Sequence, residues 1–401
     1  MAEKNEIFFI EKKEWSKTKD ALLGCYLRPY FSKILHTKKP IIYVDCFAGK
    51  GFFDDGEKGS PLIALDIIHK TLGITNSDNE HPVEKYFIEL NHHEDLKRNL
   101  NYDKTAVVIG GRYEENILNI LSNKNNYCIF LYIDPYGFKA LDYEIFREIS
   151  NKRNYSLEIF INFNSFGFFR QACNVLGTDL REKDMMEELP EYEASVFTKS
   201  EEAKLQLNSI AGGDYWIKIV ESYNNEIISS SNAEKMIAKG YQNQLKKLFK
   251  YVVNMPIRLN EENHPKYRMI FATNHSSGAN IMIRNMLKRK NELTMQENNG
   301  QLSFFELDME NNLFDREKTK VKIFDMLNSL SRETLTDFIA KFYTSHEILC
   351  DLETFTYLLK ELEHEGKIII DRDPKFTSNG KISSFWTEDS KHKVFLKKRN
   401  D

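Results

Sequence analysis

Cysteine is scarce in this chain of 401 residues and forms no recognisable pattern. The cysteines lie far apart, and none belongs to a Cys-x-x-Cys motif; they are Cys25, Cys46, Cys128, Cys173 and Cys350. An odd number of scattered cysteines excludes a disulfide framework and a zinc site built from cysteine pairs. The sequence therefore predicts a protein of a reducing compartment, the cytoplasm.

Long apolar runs are also missing. No segment approaches the roughly 20 apolar residues of a membrane-spanning helix. The polar start Met-Ala-Glu-Lys-Asn does not resemble a signal peptide. Hydrophobic residues make up 41% of the chain and charged residues 29%, as in a globular protein. Because 401 residues exceed the usual size of one hydrophobic core, we expect two domains and no membrane partner.

A strong excess of positive charge is absent too. The 56 lysine and arginine residues face 60 acidic residues, which gives a net charge of −4 at pH 7. Affinity for a nucleic-acid backbone grows with the number of cations placed on phosphates, so this balance excludes a uniformly basic binding surface. Two basic stretches, 235–250 and 284–290, remain as local patches for a nucleic-acid substrate, although basic helical faces are often only solvated.

What the chain does contain is a strand that ends in a glycine turn. The apolar run 40–44 is continuous rather than alternating, which is typical of a buried parallel strand. It ends at Asp45, and Gly49 and Gly51 follow where backbone can pass close to a ligand. Ser60-Pro61 then predicts the start of a helix. Strand, turn and helix together indicate a nucleotide-type binding crevice.

Two phosphate-binding interpretations of this turn fail. A dinucleotide fingerprint needs a third glycine three residues on, but Gly49-Lys50-Gly51 is followed by Phe52, Phe53 and Asp54. A Walker loop needs a lysine where the nearest register, Gly51 to Gly56, places Glu57. The neighbouring acids would also repel a triphosphate.

S-adenosylmethionine fits the turn better, because this ligand has no phosphate and carries a sulfonium and an ammonium group. Asp45 is then suited to pair with the amino group, and the turn from Phe47 and Ala48 to Gly49 and Gly51 would hold the methionine part. The alternative is a tight strand-to-helix turn without a ligand.

Four further strands follow at helix-length intervals. The second, 85–91, ends near Glu89, which suits the two ribose hydroxyls or is merely a surface acid. The third, 106–112, ends in glycines, and Arg112 or its neighbours would lie on the adenine side. The fourth and fifth are 128–134 and 157–163. This alternation predicts a doubly wound, Rossmann-like parallel α/β sheet.

The fourth strand delivers Asp134-Pro135-Tyr136-Gly137-Phe138. The exocyclic amine of a base is a poor nucleophile, and a carboxylate with a backbone carbonyl can position its two N–H groups for methylation. Tyr136 and Phe138 would stack against the base, at roughly 1–3 kcal/mol per stacked base. Alternatively, Asp134 caps a turn and both aromatic rings belong to the core.

Several of these motifs together resemble the three-Cys-motif partner protein family (TcmP). They are Asp45-x-Phe47-Ala48-Gly49-x-Gly51, Gly59-Ser60-Pro61, Asp134-Pro135-Tyr136-Gly137 and Phe271-Ala272-Thr273-Asn274-His275-x-x-Gly278. The opening-helix residues Trp15, Lys19 and Tyr26 and the run Gly212-Gly213-Asp214-Tyr215-Trp216 also match. The resemblance spans about residues 10–310. It implies a class I methyltransferase-like domain and a radical-SAM-like partner that bears the three cysteines.

One motif departs from a related pattern. Asp134-Pro135-Tyr136 is similar to the Asp-Pro-Pro-Tyr signature of nucleic-acid amino methyltransferases, but Tyr136 stands where the second proline sits. This departure removes a rigid turn and puts amine methylation in doubt.

We predict three segments. Residues 1–36 form a helical segment, 37–312 the methyltransferase-like domain with a helical insertion at about 170–250 over the crevice mouth, and 313–401 a winged-helix domain after a linker at 291–312. The third helix of the tail is acidic, with Asp351, Glu353, Glu361, Glu363 and Glu365 against Lys360. An acidic surface fits poorly into the major groove of DNA. Protein contact or homodimerisation is therefore as good an interpretation of this domain as duplex binding.

The predicted function is an S-adenosylmethionine-dependent methyltransferase that acts on an amine of a nucleic acid. The alternatives are a methyltransferase of a protein or of a radical-SAM-derived product, and a non-catalytic scaffold for nucleic acid or protein.

Overall fold

The computed structural model describes residues 9–75, 83–181, 199–257, 265, 267–297, 315–328, 332–346 and 350–399. Its internal contacts divide the chain into two compact units, Met1–Asn274 and His275–Asp401. The first unit is an α/β sandwich and the second a smaller helical unit with its own sheet. None of the helices in the described ranges combines the length and the apolar character that crossing a membrane requires.

The first unit alternates strands and helices along the chain. Its strands are β1 (Ile41–Asp45), β2 (Val83–Glu89), β3 (Ala106–Gly110), β4 (Cys128–Ile133), β5 (Ser156–Phe163), β6 (Tyr251–Ile257) and β7 (Tyr267–Thr273). Its helices are α1 (Glu14–Ile34), α2 (Ser60–Thr75), α3 (His93–Asn99), α4 (Tyr113–Ile120), α5 (Tyr143–Ser150), α6 (Ser165–Leu176), α7 (Glu201–Ala211), α8 (Tyr215–Asn224) and α9 (Ser230–Leu245).

The seven strands form one sheet in the order β3-β2-β1-β4-β5-β7-β6. Strands β1 to β5 pair in parallel, whereas β7 runs antiparallel to both β5 and β6. Asp45 lies opposite Phe87 of β2 and Tyr132 of β4, so the carboxyl ends of these strands meet at one edge. This is a Rossmann-like sheet with helices on both faces, and the doubly wound α/β fold predicted from the sequence is confirmed.

Helices cover both faces of the sheet, which explains the continuous apolar runs of β1, β4 and β5. On one face, the Tyr26 ring of α1 lies 5.6 Å from Phe130 and 4.8 Å from Phe271. Tyr26 also donates a 2.5 Å hydrogen bond to Glu158 of β5. The opening helix is therefore an integral part of the sandwich, tied to the middle of the sheet.

Helices α7 to α9 pack into the core on the opposite side. Trp216 of α8 and Tyr241 of α9 are fully buried in the same apolar cluster as Val44 and Leu131. These helices use their apolar faces against the sheet, and the prediction that the insertion covers the crevice mouth stays a prediction. Residues 182–198 of the insertion lie outside the described ranges.

A buried ion pair joins this helical layer to the sheet. Arg268 of β7 donates from Nε to Glu234 Oε1 (2.6 Å) and from Nη2 to Glu234 Oε2 (2.8 Å). The Ser165 hydroxyl, at the start of α6, also donates to Glu234. Glu234 is completely buried. Among the described residues, these hydrogen bonds are the interactions that offset the desolvation cost of its charge.

The second unit contains four helices and a small antiparallel sheet. Its elements are α10 (Ser276–Glu297), α11 (Arg316–Asn328), β8 (Glu333–Thr334), α12 (Leu335–Ser345), α13 (Leu352–His364), β9 (Ile368–Asp373) and β10 (Lys393–Lys398). The strands follow the order β8-β10-β9. Strand β9 pairs with β10 (Lys393–Lys398), while Ile382 forms an isolated bridge with Phe376 in the connection between them.

Helix α10 belongs to the second unit, although residues up to 312 were predicted to belong to the methyltransferase-like domain. It packs against α12, and Asn280 donates a 2.9 Å hydrogen bond to the Thr336 carbonyl. Residues 291–297, predicted as linker, continue this helix, and 298–312 lie outside the described ranges.

Candidate functional site

Asp45 is a buried carboxylate at the end of β1. Its side chain accepts a 2.6 Å hydrogen bond from the Ser60 hydroxyl, at the start of α2, and a 3.3 Å bond from the Phe47 N–H. None of the lysine, arginine or histidine side chains that the structure describes pairs with it. Burial, with smaller contributions from the charges of Asp134 and Asp20, raises the pKa of Asp45 to about 7. The strand end therefore holds a carboxyl group that a cationic ligand would stabilise in its ionised form.

The glycine turn has the predicted conformation. Gly49 and Gly51 have φ angles of +63° and +88°, which favour glycine. The Gly51 carbonyl accepts a 2.7 Å hydrogen bond from the Gly59 N–H, and this bond closes the loop before α2. A Cβ on Gly49 would approach the Phe9 ring to 3.1 Å, so the Phe9 side chain covers part of this turn.

Glu89 ties the end of β2 to the glycine turn. Its Oε2 accepts a 2.9 Å hydrogen bond from the Gly49 N–H, and its Oε1 accepts from the N–H groups of Asn91 (2.9 Å) and His92 (3.2 Å). A carboxylate has about four acceptor positions, so one remains at Oε2. The predicted contact with both ribose hydroxyls stays a prediction, but this geometry leaves room for one donor.

The other residues predicted to hold the cofactor surround the same strand ends. Ala48 is buried and its N–H donates to the Ile88 carbonyl at 3.0 Å, while Pro61 is buried in the first turn of α2. The half-buried Phe47 ring lies 5.5 Å from Tyr113. Arg112 is exposed just before α4, beyond the end of β3. These residues border the crevice edge as expected, with Arg112 at its periphery.

Asp134, two residues beyond the β4 position opposite Asp45, has all of its acceptor positions filled. Lys19 Nζ donates to Oδ1 (2.9 Å) and Oδ2 (2.7 Å), Asn162 Nδ2 donates to Oδ1 (2.7 Å), and the Tyr132 hydroxyl donates to Oδ2 (3.3 Å). Because a carboxylate has about four such positions, the predicted direct hydrogen bond from an acceptor amine finds none open in this arrangement.

The two aromatic residues of the same motif, Tyr136 and Phe138, differ in their exposure to solvent. Phe138 is only 6% exposed, belongs to the core and lies 5.3 Å from Phe168. The expectation that Phe138 stacks on a base is therefore wrong, because the left-handed Gly137 (φ +94°) turns the chain back into the protein. Pro135 is buried as well, whereas Tyr136 is 47% exposed and keeps a ring at the surface.

A second carboxyl group, Asp20 of α1, lies near Asp45 and Asp134. It pairs with Lys12 at 2.7 Å, and Lys12 Nζ also donates to the Lys58 carbonyl at 2.5 Å. Burial raises the pKa of Asp20 to about 6, against the lowering effect of Lys12. Lys12 and Lys19 thus pair with Asp20 and Asp134, and Asp45 is left as the member of these three carboxyl groups without a described cationic partner, which again favours a cation.

Asn162 and the pairing of Lys19 are features that the sequence did not assign. Asn162 interrupts the apolar run of β5, and a polar residue in a buried strand is the signal that could have identified it. Lys19 was noted only as part of the resemblance. In the described ranges, no group of three or more His, Cys, Asp or Glu side chains is placed to hold a metal ion.

The chain matches no protein-family model and no curated protein sequence. Among solved structures it is similar to the plantazolicin methyltransferase BamL, determined with a triazolic desmethylPZN analog and SAH, at 15% identity and a TM-score of 0.31, covering 69% of this chain and 92% of that one. It is also similar to Trm1 from Pyrococcus horikoshii, determined with S-adenosyl-L-methionine, at 8% identity and a TM-score of 0.33, covering 81% of this chain and 88% of that one.

Asp45→Asn is expected to stabilise the protein at about pH 8 and to stabilise it markedly less at about pH 5. The raised pKa means that the folded state binds a proton more tightly than the unfolded state, so the contribution of Asp45 to stability is present below its unfolded pKa and is lost as the pH rises through about 7. The free energy of unfolding should rise by on the order of 2–4 kcal/mol at the higher pH. Urea unfolding at both pH values measures the difference, and an equal effect at both would contradict the assignment.

Proposed function

We propose that the first unit is an S-adenosylmethionine-dependent methyltransferase and that its acceptor is an amine of a nucleic acid. The observation that carries the proposal is Asp45. It is a fully buried carboxylate without a described cationic partner, placed beside a left-handed glycine turn at the carboxyl edge of a methyltransferase sheet. A ligand that brings a positive charge to this position removes an energetic penalty that the protein otherwise bears.

The residues around the turn fit S-adenosylmethionine. Asp45 would pair with its ammonium group, the Gly49–Gly51 backbone would lie along its methionine part, and the open position on Glu89 Oε2 would accept one ribose hydroxyl. The bound cofactor supplies a methyl group activated by the sulfonium charge. The protein contributes a carboxyl-rich edge that favours this cation and, through Asp134, an ordered set of polar side chains beside it.

The order of helices and strands in the second unit supports the winged-helix interpretation, with β8 before α12 and the pair β9 and β10 after α13. Its acidic helix is largely neutralised within the unit. Glu361 pairs with Arg316 and Lys320, Glu363 with Arg372, and Glu365 with Lys320 and Lys367. This pairing weakens the repulsion of phosphates. A three-Cys-motif partner protein and a homodimer through this unit remain predictions.

Isothermal titration with S-adenosylmethionine tests the proposal. Asp45→Asn should weaken binding by roughly 30-fold or more at about pH 8, because a buried charge pair loses one partner. Binding to the wild type should weaken about tenfold per pH unit below about pH 7, as Asp45 takes up a proton. Asp95→Asn, which makes the same change at a more exposed carboxyl group on α3, is the control. Absence of binding to the wild type would favour a non-catalytic scaffold and refute the proposal.

A further inference from the structure

Asn162 is buried with half of its amide unused. The residue is 2% exposed, its Nδ2 donates to Asp134 Oδ1 at 2.7 Å, and its Oδ1 has no hydrogen-bond partner among the described residues. Asp134 fixes this orientation, since a carboxylate oxygen needs the donor end of the amide facing it. Buried acceptors without a donor are rare in folded proteins because they destabilise them. A hydrogen-bond donor on a ligand would explain why one is retained here.

Lys19 brings a donor to the same place. Its ammonium group contacts both oxygens of Asp134, lies 4.8 Å from the centre of the Tyr267 ring and belongs to a side chain that is only 6% exposed. An ammonium group has three N–H groups, and the two bonds to Asp134 use two of them. Asp134 therefore holds Lys19 and Asn162 side by side at the carboxyl edge of the sheet, one with a donor and the other with an acceptor.

This pair is complementary to a particular kind of ligand edge. On their Watson–Crick edges, adenine and cytosine each present an amino group, which donates, next to a ring nitrogen, which accepts. On the same edge guanine presents its amino group next to a ring N–H, which donates, and uracil has no amino group to offer. Proteins that recognise unpaired bases read such edges with side-chain hydrogen bonds, and Tyr136 adds an exposed aromatic ring to the same motif.

We propose that Asn162 and Lys19 bind the methyl acceptor, with Asn162 Oδ1 accepting from the amino group of an unpaired adenine or cytosine and Lys19 Nζ donating to the adjacent ring nitrogen. The inference rests on the proposed methyltransferase function and narrows its acceptor from any nucleic-acid amine to the amino groups of unpaired adenine and cytosine. Asp134 then acts as a positioning residue, since it orients the amide of Asn162 and holds the charge of Lys19 in place.

The experiment uses the full chain, tritiated S-adenosylmethionine, and short random-sequence RNA and DNA synthesised without modified bases. After digestion to nucleosides, label should reside on the amino groups of adenine or cytosine in the wild type. Asn162→Ala and Lys19→Met should each lower kcat/KM by about 100-fold, because a site built to bind a donor and an acceptor loses one of them. Their affinity for S-adenosylmethionine in isothermal titration should stay within about threefold of the wild type.

Asn254→Ala is the matched control, because Asn254 lies in β6 of the same sheet and its Oδ1 is likewise buried without a partner. It should leave kcat/KM unchanged. Polyuridylate should take up no label. Losing the contacts with Asp134 should lower the melting temperatures of Asn162→Ala and Lys19→Met, so circular dichroism must show that both variants are folded at the assay temperature, where a merely structural role would leave kcat/KM of the folded protein unchanged.

Three results would overturn the inference while leaving S-adenosylmethionine binding by the first unit in place, and the first and third of them would also refute a nucleic-acid amine as the acceptor. They are label on polyuridylate, unchanged kcat/KM in Asn162→Ala, and binding of S-adenosylmethionine by the wild type without transfer to either nucleic acid. Failure of the wild type to bind S-adenosylmethionine at all would instead refute the underlying function.

Discussion

We expect Asp134→Asn to lower the rate of methyl transfer strongly and to leave cofactor binding intact. The carboxylate is the common partner of Lys19, Asn162 and Tyr132, so its replacement by a neutral amide removes the charge that holds Lys19 and adds a donor where only acceptors fit. The side chains around the acceptor then lose their fixed positions. Misplacing reacting groups by about an ångström typically lowers rates about 100-fold, and we expect at least this loss in kcat.

Single-turnover methyl transfer and isothermal titration with S-adenosylmethionine measure the two effects separately. Asparagine is chosen over alanine because its carbonyl oxygen still accepts a hydrogen bond from Lys19, whereas alanine would leave the buried ammonium group without any acceptor at this position. Asp142→Asn, which changes a helix-capping aspartate at the start of α5, controls for the general effect of losing a carboxyl group. Wild-type kcat in Asp134→Asn would show that the carboxylate has no part in the reaction.

The largest effect on stability is expected from Glu234→Ala. Arg268 donates two hydrogen bonds to Glu234, and removing the carboxylate leaves a buried guanidinium group without compensation. Breaking a buried pair by deleting one partner costs about 3–5 kcal/mol of unfolding free energy. Chemical denaturation followed by circular dichroism should show this loss.

Two variants make the interpretation specific. The double variant Glu234→Leu with Arg268→Met should recover most of the lost stability, since two apolar side chains of similar size need no compensation in the core. Glu94→Ala, which breaks an exposed pair with Lys97 on α3, should leave stability almost unchanged, because solvent screens this pair. A loss in Glu234→Ala no larger than that of Glu94→Ala would mean that the buried pair does not stabilise the link between α9 and β7.

The parts of the fold that were predictable depend on local signals. Continuous apolar runs identified β1, β4 and β5, because strands covered on both faces have no solvent side to mark by alternation. The glycine turn was also predictable from a local signal, because glycine itself favours a left-handed backbone conformation.

What the sequence did not reveal depends on distant pairing. Lys19 and Asp134 are separated by 115 positions and Asn162 lies another 28 beyond Asp134, so no local pattern joins them. Phe138 was misassigned because its direction follows from the backbone at Gly137 and not from its own type. The packing of α7 to α9 against the sheet was not predicted, because the sequence does not show which surface receives their apolar faces.

The cation-favouring surroundings of Asp45 have a practical consequence for identifying compounds that bind this protein. Relief of an unfavourable buried negative charge adds to ordinary contact energy only while that charge exists, which is above about pH 7. Library screening by thermal denaturation in mildly alkaline buffer should therefore separate positively charged compounds from neutral analogues of equal size. The same screen in acidic buffer should largely lose that distinction.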